Sequence, residues 1–386
     1  MKLRYRIPAL AALLCAAAMS VTTAAATPPA TPEAQLAELI TAGLHPAADG
    51  RVPQPIVDTG SGSGSASGSG SGSGTGSSSA VSHASDAIGE GPEMSSYLAA
   101  FGYGLTHPDA APPGTNRWDC VPSAAHPDPV VLVHGTWLNA YDSFAYLAPR
   151  LARAGFCVFA LNFGRSGVLE GGGLAPVLPG RYGVGPIEDS ARQLGAFVDR
   201  VRAATHADKV DIVAHSQGAP VTDQYLKFDG GVGKVARLVS FGGTHHGTTL
   251  LGIATLGRMI NNLGVDILGF YRPLIGPANV EQAIGSPFLN QLNAGGDTVP
   301  GVAYTVVASR YDEVMNPLEL AFLHAGPDAT VDNIALQDGC EQDVSDHLTM
   351  MYSPRAVSIA LHALDPGQPA PVCTFNPWFL GGGGSL

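Results

Sequence analysis

Charge is scarce in this sequence, and positive charge scarcest. Only 13% of the 386 residues are Asp, Glu, Lys or Arg, and 20 basic residues face 32 acidic ones. A surface so poor in cations repels phosphate backbones, which argues against nucleic acid as a partner. No apolar run is long enough to span a bilayer. The longest candidate, Ile7 to Met19, is too short, follows Lys2, Arg4 and Arg6, and is followed by the small residues Ala24, Ala25 and Ala26. That pattern reads as a secretory signal peptide over residues 1–26, cleaved near Ala26. Lipoprotein processing at Cys15 is disfavoured by the bulky Leu14 before it. Loss of Lys2, Arg4 and Arg6 would leave 17 basic against 32 acidic residues, a formal net charge of -15. An exported chain is expected, free of a transmembrane segment, monomeric, and either released or associated with the cell wall.

Cysteine is also sparse. Of five, Cys15 would leave with the signal, and Cys120, Cys157, Cys340 and Cys373 stay. An even number in an exported chain suggests two disulfides. Three pairings are possible, and the one that closes the shorter loops joins Cys120 with Cys157 and Cys340 with Cys373. No Cys/His spacing resembles a zinc site, so no metal is expected.

What is abundant is glycine, serine and apolar side chains. Residues 60–79, "GSGSGSASGSGSGSGTGSSS", cannot bury enough apolar surface to offset the entropy of ordering. The chain therefore divides into the signal 1–26, an Ala/Pro-rich segment 27–59, a flexible linker 60–93, a folded domain 94–378 and a loose tail 379–386. With 45% hydrophobic residues, that domain can bury one substantial core and still offer apolar surface to a greasy ligand.

Inside it, short apolar runs alternate with helical patterns. "PVVLVHG", "FCVFALN", "KVDIVAH", "VARLVSF" and "VAYTVVAS" read as buried strands. "SFAYLAPRLARAG" reads as a helix ending at Gly155. In "IEDSARQLGAFVDRV", Ile187, Ala191, Leu194, Val198 and Val201 stack on one face. Such alternation predicts an α/β fold, a mostly parallel central sheet with helices on both faces, whose reactive groups sit at the carboxyl ends of strands.

One more absence matters at "KVDIVAHSQG". The usual nucleophile turn is Gly-x-Ser-x-Gly, and here Ala214 stands in the first glycine's place. A sharp strand-to-helix turn brings the residues two before and two after the serine together, so both must be small. Ala214 adds one methyl and Gly218 adds nothing. Ser216 is thus the candidate nucleophile, although a serine after a buried strand can also simply cap a helix. Attack on an acyl carbon also needs donors for the developing oxyanion. The N–H of Gln217 is one; Thr136, after "VVLVHG", is the second, through its N–H and its hydroxyl. The acid and base should follow in the order Ser, Asp, His. Asp312 lies just past a strand and His347 in a later loop. Asp338, Asp343, Asp346, His324 and His362 compete for these parts. His245 and His246 lack a third metal ligand and read better as stabilising their loop.

With these residues in hand the chain resembles the class 2 family of secreted bacterial triacylglycerol lipases, within the α/β-hydrolase superfamily. The resemblance is carried by "WDCVPSAAHPDPVVLVHGT", "GFCVFALNFG", "IVAHSQGA", "FGGTHHGT", "SRYDEVMNP" and "LQDGCEQDVSDHLTM". Ala-His-Ser-Gln-Gly is itself typical of several lipase groups. By position, the resemblance implies Ser216 as nucleophile, Asp312 as orienting acid and His347 as base, and it favours both disulfide pairings above. It implies an ester or lipid substrate and no cofactor. The apolar stretch between Leu250 and Gly296 would then lie over the active-site edge, as an acyl-chain cleft or lid, or simply as packed helices. Three readings compete: a lipase on long-chain glycerides; a carboxylesterase, polyesterase or acyltransferase with the same triad; and a secreted, non-catalytic binding protein on this fold. The Gly/Ser linker suggests the third, and the intact Ser, Asp, His order argues against it.

Overall fold

The computed structural model describes residues 85–166, 179–249 and 276–378. The expected signal 1–26, the segment 27–59, the Gly/Ser run, the tail 379–386 and most of the apolar stretch 250–296 lie outside the described residues.

In chain order the elements are β1 (Ser85–Asp86), α1 (Tyr97–Thr106), β2 (Val130–Val133), α2 (Ala140–Phe144), α3 (Leu147–Arg153), β3 (Val158–Asn162), α4 (Ile187–Thr205), β4 (Val210–His215), α5 (Gly218–Phe228), β5 (Val235–Phe241), α6 (Pro277–Glu281), α7 (Pro287–Asn293), β6 (Ala303–Ala308), β7 (Thr330–Ala335) and α8 (Pro354–Leu364). The strands form one sheet in the order β1-β3-β2-β4-β5-β6-β7. All neighbours from β3 to β7 are parallel, and β1 alone runs antiparallel, on the β3 edge. Every residue of β2, β3 and β4 is buried, because helices cover both faces of the sheet. That is why these strands read as continuous apolar runs rather than as alternating ones. The α4 face read from the sequence, Ile187, Ala191, Leu194, Val198 and Val201, is fully buried in the core. This is the α/β-hydrolase type of sheet, and the candidate residues Thr136, Ser216 and Asp312 follow the carboxyl ends of β2, β4 and β6.

Three details extend the sequence reading. The helix expected over "SFAYLAPRLARAG" is two helices. α2 starts earlier than that stretch because Asn139 and Asp142 cap it reciprocally, each side chain accepting the other's backbone N–H. Described residues ahead of Met94 also pack on the sheet. Ser85 and Asp86 pair with Asn162 and Leu161 on the outer edge of β3, where Asn116 already meets the Val158 carbonyl and the Ala160 N–H and carbonyl. Farther on, Gly91 N–H donates to the Ala111 carbonyl, and Glu93 bridges Arg150 and Arg153. β7 is the third. It is an edge strand in which Asp332 is exposed and the Asn333 amide holds the Leu323 backbone, so it lacks the apolar run that marks the other strands.

Both disulfides join the pairs that close the shorter loops. Cys120–Cys157 ties the approach to β2 to the start of β3, and Cys340–Cys373 ties the loop before His347 to the C-terminal strap. Among the described residues no helix is long and apolar enough to cross a membrane.

Candidate active site

β4 ends at His215 and α5 begins at Gly218, so the chain must reverse within two residues. Ser216 takes up the turn with a left-handed φ of 54°, a conformation uncommon outside glycine. A non-glycine residue held this way is found where the surrounding structure over-determines it. Here the Ser216 N–H donates to the Phe241 carbonyl, and the Ser216 carbonyl accepts from the N–H groups of Ala219 and Thr244. The small residue at 218 has a different cause from the one the sequence suggested. A Cβ there would meet the Val133 carbonyl oxygen at 2.3 Å and the His134 carbonyl at 2.9 Å, so α5 starts against the backbone of β2, not against Ala214.

The turn aims Ser216 Oγ at His347 Nε2, 2.9 Å away, and His347 Nδ1 lies 2.8 Å from Asp312 Oδ2. All three side chains are buried. Asp312 is itself held, since its Oδ1 accepts the N–H groups of Val314 and Met315, both at 2.8 Å. With one oxygen occupied by backbone, only the other can face the imidazole. His347 is anchored through its carbonyl, which accepts from His215 Nε2 at 2.8 Å. Burial lowers the His215 pKa to about 3, so that ring is neutral at ordinary pH. Burial also opposes the charged form of His347. The Asp312 carboxylate, by charge and by hydrogen bond, outweighs it, with Glu313 and Asp346 adding, and the His347 pKa is raised above its ordinary value. Gly242, at φ 52°, is the backbone neighbour of this pair. A Cβ there would lie 2.9 Å from Asp312 Oδ2 and 3.1 Å from His347 Nδ1.

On the other side of Ser216 stands the loop after β2. A Cβ on Gly135 would come within 2.8 Å of Ser216 Cβ, so only glycine lets this backbone approach the serine. His134, kept neutral by burial, which brings its pKa to about 3, donates from Nδ1 to the Gly135 carbonyl at 2.8 Å and accepts the Phe163 N–H at Nε2. In a trans peptide the C=O and N–H point opposite ways. Fixing the Gly135 carbonyl therefore fixes the opposite aim of the Thr136 N–H. Among the described residues neither the Thr136 nor the Gln217 N–H is taken by another group. Residues 135–136 and 217 converge on Gly183, where a Cβ would meet Gln217 Oε1 at 2.7 Å and the Gly135 carbonyl at 2.8 Å.

The competitors lie elsewhere. Asp338 pairs with Arg310 at the surface, and Asp343 accepts from the hydroxyls of Ser345 and Ser353. Asp346 caps the turn after it through the N–H groups of Leu348 and Thr349. His324 is exposed and sits on Asp297, and His362 sits in α8 facing the Gln368 carbonyl. His245 and His246 do hold their loop. His245 joins Asp223 to Ser240, and His246 joins Asp297 to the Leu320 carbonyl. Among the described residues no group of three or more His, Cys, Asp or Glu is placed to hold a metal ion. Gly242 and Gln282 were not singled out from the sequence. Only the doubled glycine in "FGGTHHG" hints at the first.

A serine hydroxyl, an imidazole and a carboxylate in this order can act as nucleophile, base and orienting acid, and beside them stand two N–H groups that no other described group takes. The family model described as Lipase (class 2) matches residues 127–327. Among solved structures, the chain is similar to lipase B of Aspergillus fumigatus at 19% identity and a TM-score of 0.49, over 67% of this chain and 61% of that one. It is also similar to the mature lipase BlEst2 of Bacillus licheniformis at 18% identity and a TM-score of 0.41, over 61% of this chain and 91% of that one.

Proposed function

Because the chain belongs to the class 2 lipase family, we propose that it is an exported ester hydrolase that cleaves carboxylic esters of lipids through an acyl-enzyme on Ser216. The observation that carries the reading is the buried line of hydrogen bonds from Ser216 Oγ through His347 to Asp312, at the strained turn after β4.

In the first half-reaction Ser216 Oγ attacks the ester carbonyl as its proton passes to His347 Nε2. Asp312 holds Nδ1–H, so that His347 presents its unprotonated nitrogen to the serine, and then stabilises the imidazolium. The N–H groups of Thr136 and Gln217 take the negative charge that builds on the carbonyl oxygen. Both are preset by backbone, through His134 on one side and the start of α5 on the other, so they need no reorganisation when charge develops. His347 then gives its proton to the leaving alcohol, and an acyl-serine is left. In the second half-reaction His347 takes a proton from water, the hydroxide adds to the acyl carbon, and the carboxylic acid leaves as Ser216 recovers its proton. The two disulfides suit an oxidising compartment outside the cytosol.

A profile of ester chain lengths run beside a triglyceride emulsion tests the substrate. Hydrolysis of the emulsion and of long acyl chains is expected. Activity confined to acetate and butyrate esters would leave an esterase and overturn the lipase. Fluorophosphonate labelling that survives in Ser216→Ala would overturn the acyl-enzyme altogether, and folded protein that takes no label would leave a binding protein.

A further inference from the structure

Gln282, directly after α6, is buried and makes side-chain hydrogen bonds at both ends of its amide. Its Nε2 lies 3.0 Å from Thr136 Oγ1 and 3.0 Å from the Ala278 carbonyl, and its Oε1 accepts from the Thr244 hydroxyl at 2.9 Å. The Ala278 carbonyl can only accept, so the group facing it must be the NH2 end. The same nitrogen therefore donates its other hydrogen to Thr136 Oγ1. A hydroxyl has one proton and two lone pairs. With a lone pair taken by Gln282, the Thr136 proton is left to be given away, and among the described residues nothing takes it. Thr136 is 3% exposed and its loop faces Ser216.

We infer that Gln282 is a positioning residue for the proposed acyl transfer: by donating to Thr136 Oγ1 it sets the Thr136 hydroxyl as a third hydrogen-bond donor to the oxyanion, beside the N–H groups of Thr136 and Gln217. The inference rests on the reading of Ser216 as the nucleophile. The same amide also reaches the serine from behind, because Thr244 gives its hydroxyl to Gln282 and its N–H to the Ser216 carbonyl at 3.3 Å. One side chain thus joins the oxyanion loop to the nucleophile turn.

A double-mutant cycle on the full chain, with kcat and KM measured separately on a soluble p-nitrophenyl ester, tests this. Thr136→Val keeps the backbone donor and removes the hydroxyl, and is expected to lower kcat on the order of 100-fold. Gln282→Met should lower kcat roughly tenfold, with KM changed by less than about twofold, since a donor aimed at the oxyanion acts mainly in the transition state. In the Thr136→Val background, Gln282→Met should cost less than about twofold more, whereas in Thr136→Ser it should keep its full effect. Equal losses from Gln282→Met with and without the Thr136 hydroxyl, or a loss confined to KM, would overturn the inference. Should thermal unfolding show Gln282→Met to be misfolded, Gln282→Glu is read in the same cycle. Its carboxylate accepts from the Thr136 hydroxyl, takes the proton from the oxyanion, and should again cost kcat only where that hydroxyl is present. Wild-type protein that hydrolyses the ester but shows additive losses sinks this inference alone. Wild-type protein that neither hydrolyses it nor labels with fluorophosphonate sinks the reading beneath it as well.

Discussion

Two Ser–His–Asp relays lie side by side at the carboxyl ends of β4 and β5. In one, His347 stands 2.9 Å from Ser216 Oγ and 2.8 Å from Asp312 Oδ2. In the other, His245 stands 2.9 Å from Ser240 Oγ and 2.6 Å from Asp223 Oδ2. The same ring nitrogens face the same partner atoms, and all six side chains are buried. What separates them is backbone. Ser240 is an interior residue of β5, paired with Ala214 on one side and Val306 on the other. Ser216 stands just outside β4, at a left-handed φ, with Gly135 close against it and two N–H groups that no described residue takes. A relay of side chains is thus a common way to satisfy buried polar groups. A nucleophile needs, besides the relay, a turn that takes it out of the ladder and a preset place for negative charge. The second relay serves the first: it fixes the loop from which the Thr244 N–H holds the Ser216 carbonyl.

The sharpest way to break this contrast is to delete each hydroxyl. Ser216→Ala should lower kcat by about 10⁶-fold and abolish fluorophosphonate labelling. Ser240→Ala should keep the label and stay within about threefold of wild-type kcat, because a strand serine contributes packing and one hydrogen bond. Loss of label in Ser240→Ala with Ser216 intact would put the two relays on an equal footing. Next in size come the acids. Asp312→Asn should cost about 10⁴-fold in kcat, since the amide favours the wrong imidazole tautomer. Asp223→Asn should leave most of kcat and lower stability by about 1–3 kcal/mol, read as a lower denaturant midpoint. A third pair concerns the backbone. Gly242→Ala, whose methyl would wedge between Asp312 and His347, should cost about 100-fold in kcat. Gly295→Ala, with open space around its Cβ, should be silent in the same assay.

The sequence made the central strands readable because each is buried on both faces and therefore written in β-branched and aromatic residues. The order Ser216, Asp312, His347 was readable because each candidate follows such a strand or its return loop. Edge elements were not: β7 carries polar side chains, Asp332 exposed and Asn333 bound to the Leu323 backbone, and β1 is two residues added to the rim of β3. Nor could the doubled histidine be sorted from sequence. Asp223, the partner of His245, lies in α5, and Asp297, the partner of His246, lies beyond α7, so neither pairing has a local signature. Gln282 was invisible for the same reason. It is one amide near the end of an apolar stretch, and only folding brings Ala278, Thr244 and Thr136 to it.

The smallest expected effect belongs to Glu313, beside the catalytic candidates and absent from the relay near Ser240. Burial, with the charges of Asp312 and Asp346 adding, raises its pKa from 4.5 to about 8, and Glu313 in turn helps to raise that of His347. The proposed base must be neutral to take the Ser216 proton, so kcat/KM should fall as pH drops through the His347 pKa. Because that pKa is raised, the acid limb should lie above the ordinary histidine value of 6.5. Asp312→Asn removes the larger raising contribution and should move the limb far toward lower pH. Glu313→Gln should move it the same way by less, because Glu313 carries its charge only above about 8, with the plateau nearly kept. Stability follows the opposite bookkeeping from that of a paired surface carboxylate. Folded protein holds the Glu313 proton above the pH at which unfolded chain has lost it, so this group's contribution is complete below 4.5 and declines as pH rises to about 8. Glu313→Gln should therefore match wild type in denaturant midpoint at pH 4 and exceed it at pH 8. A Glu313→Gln limb that coincides with wild type would detach this carboxyl from His347 and leave Asp312 as its dominant electrostatic partner.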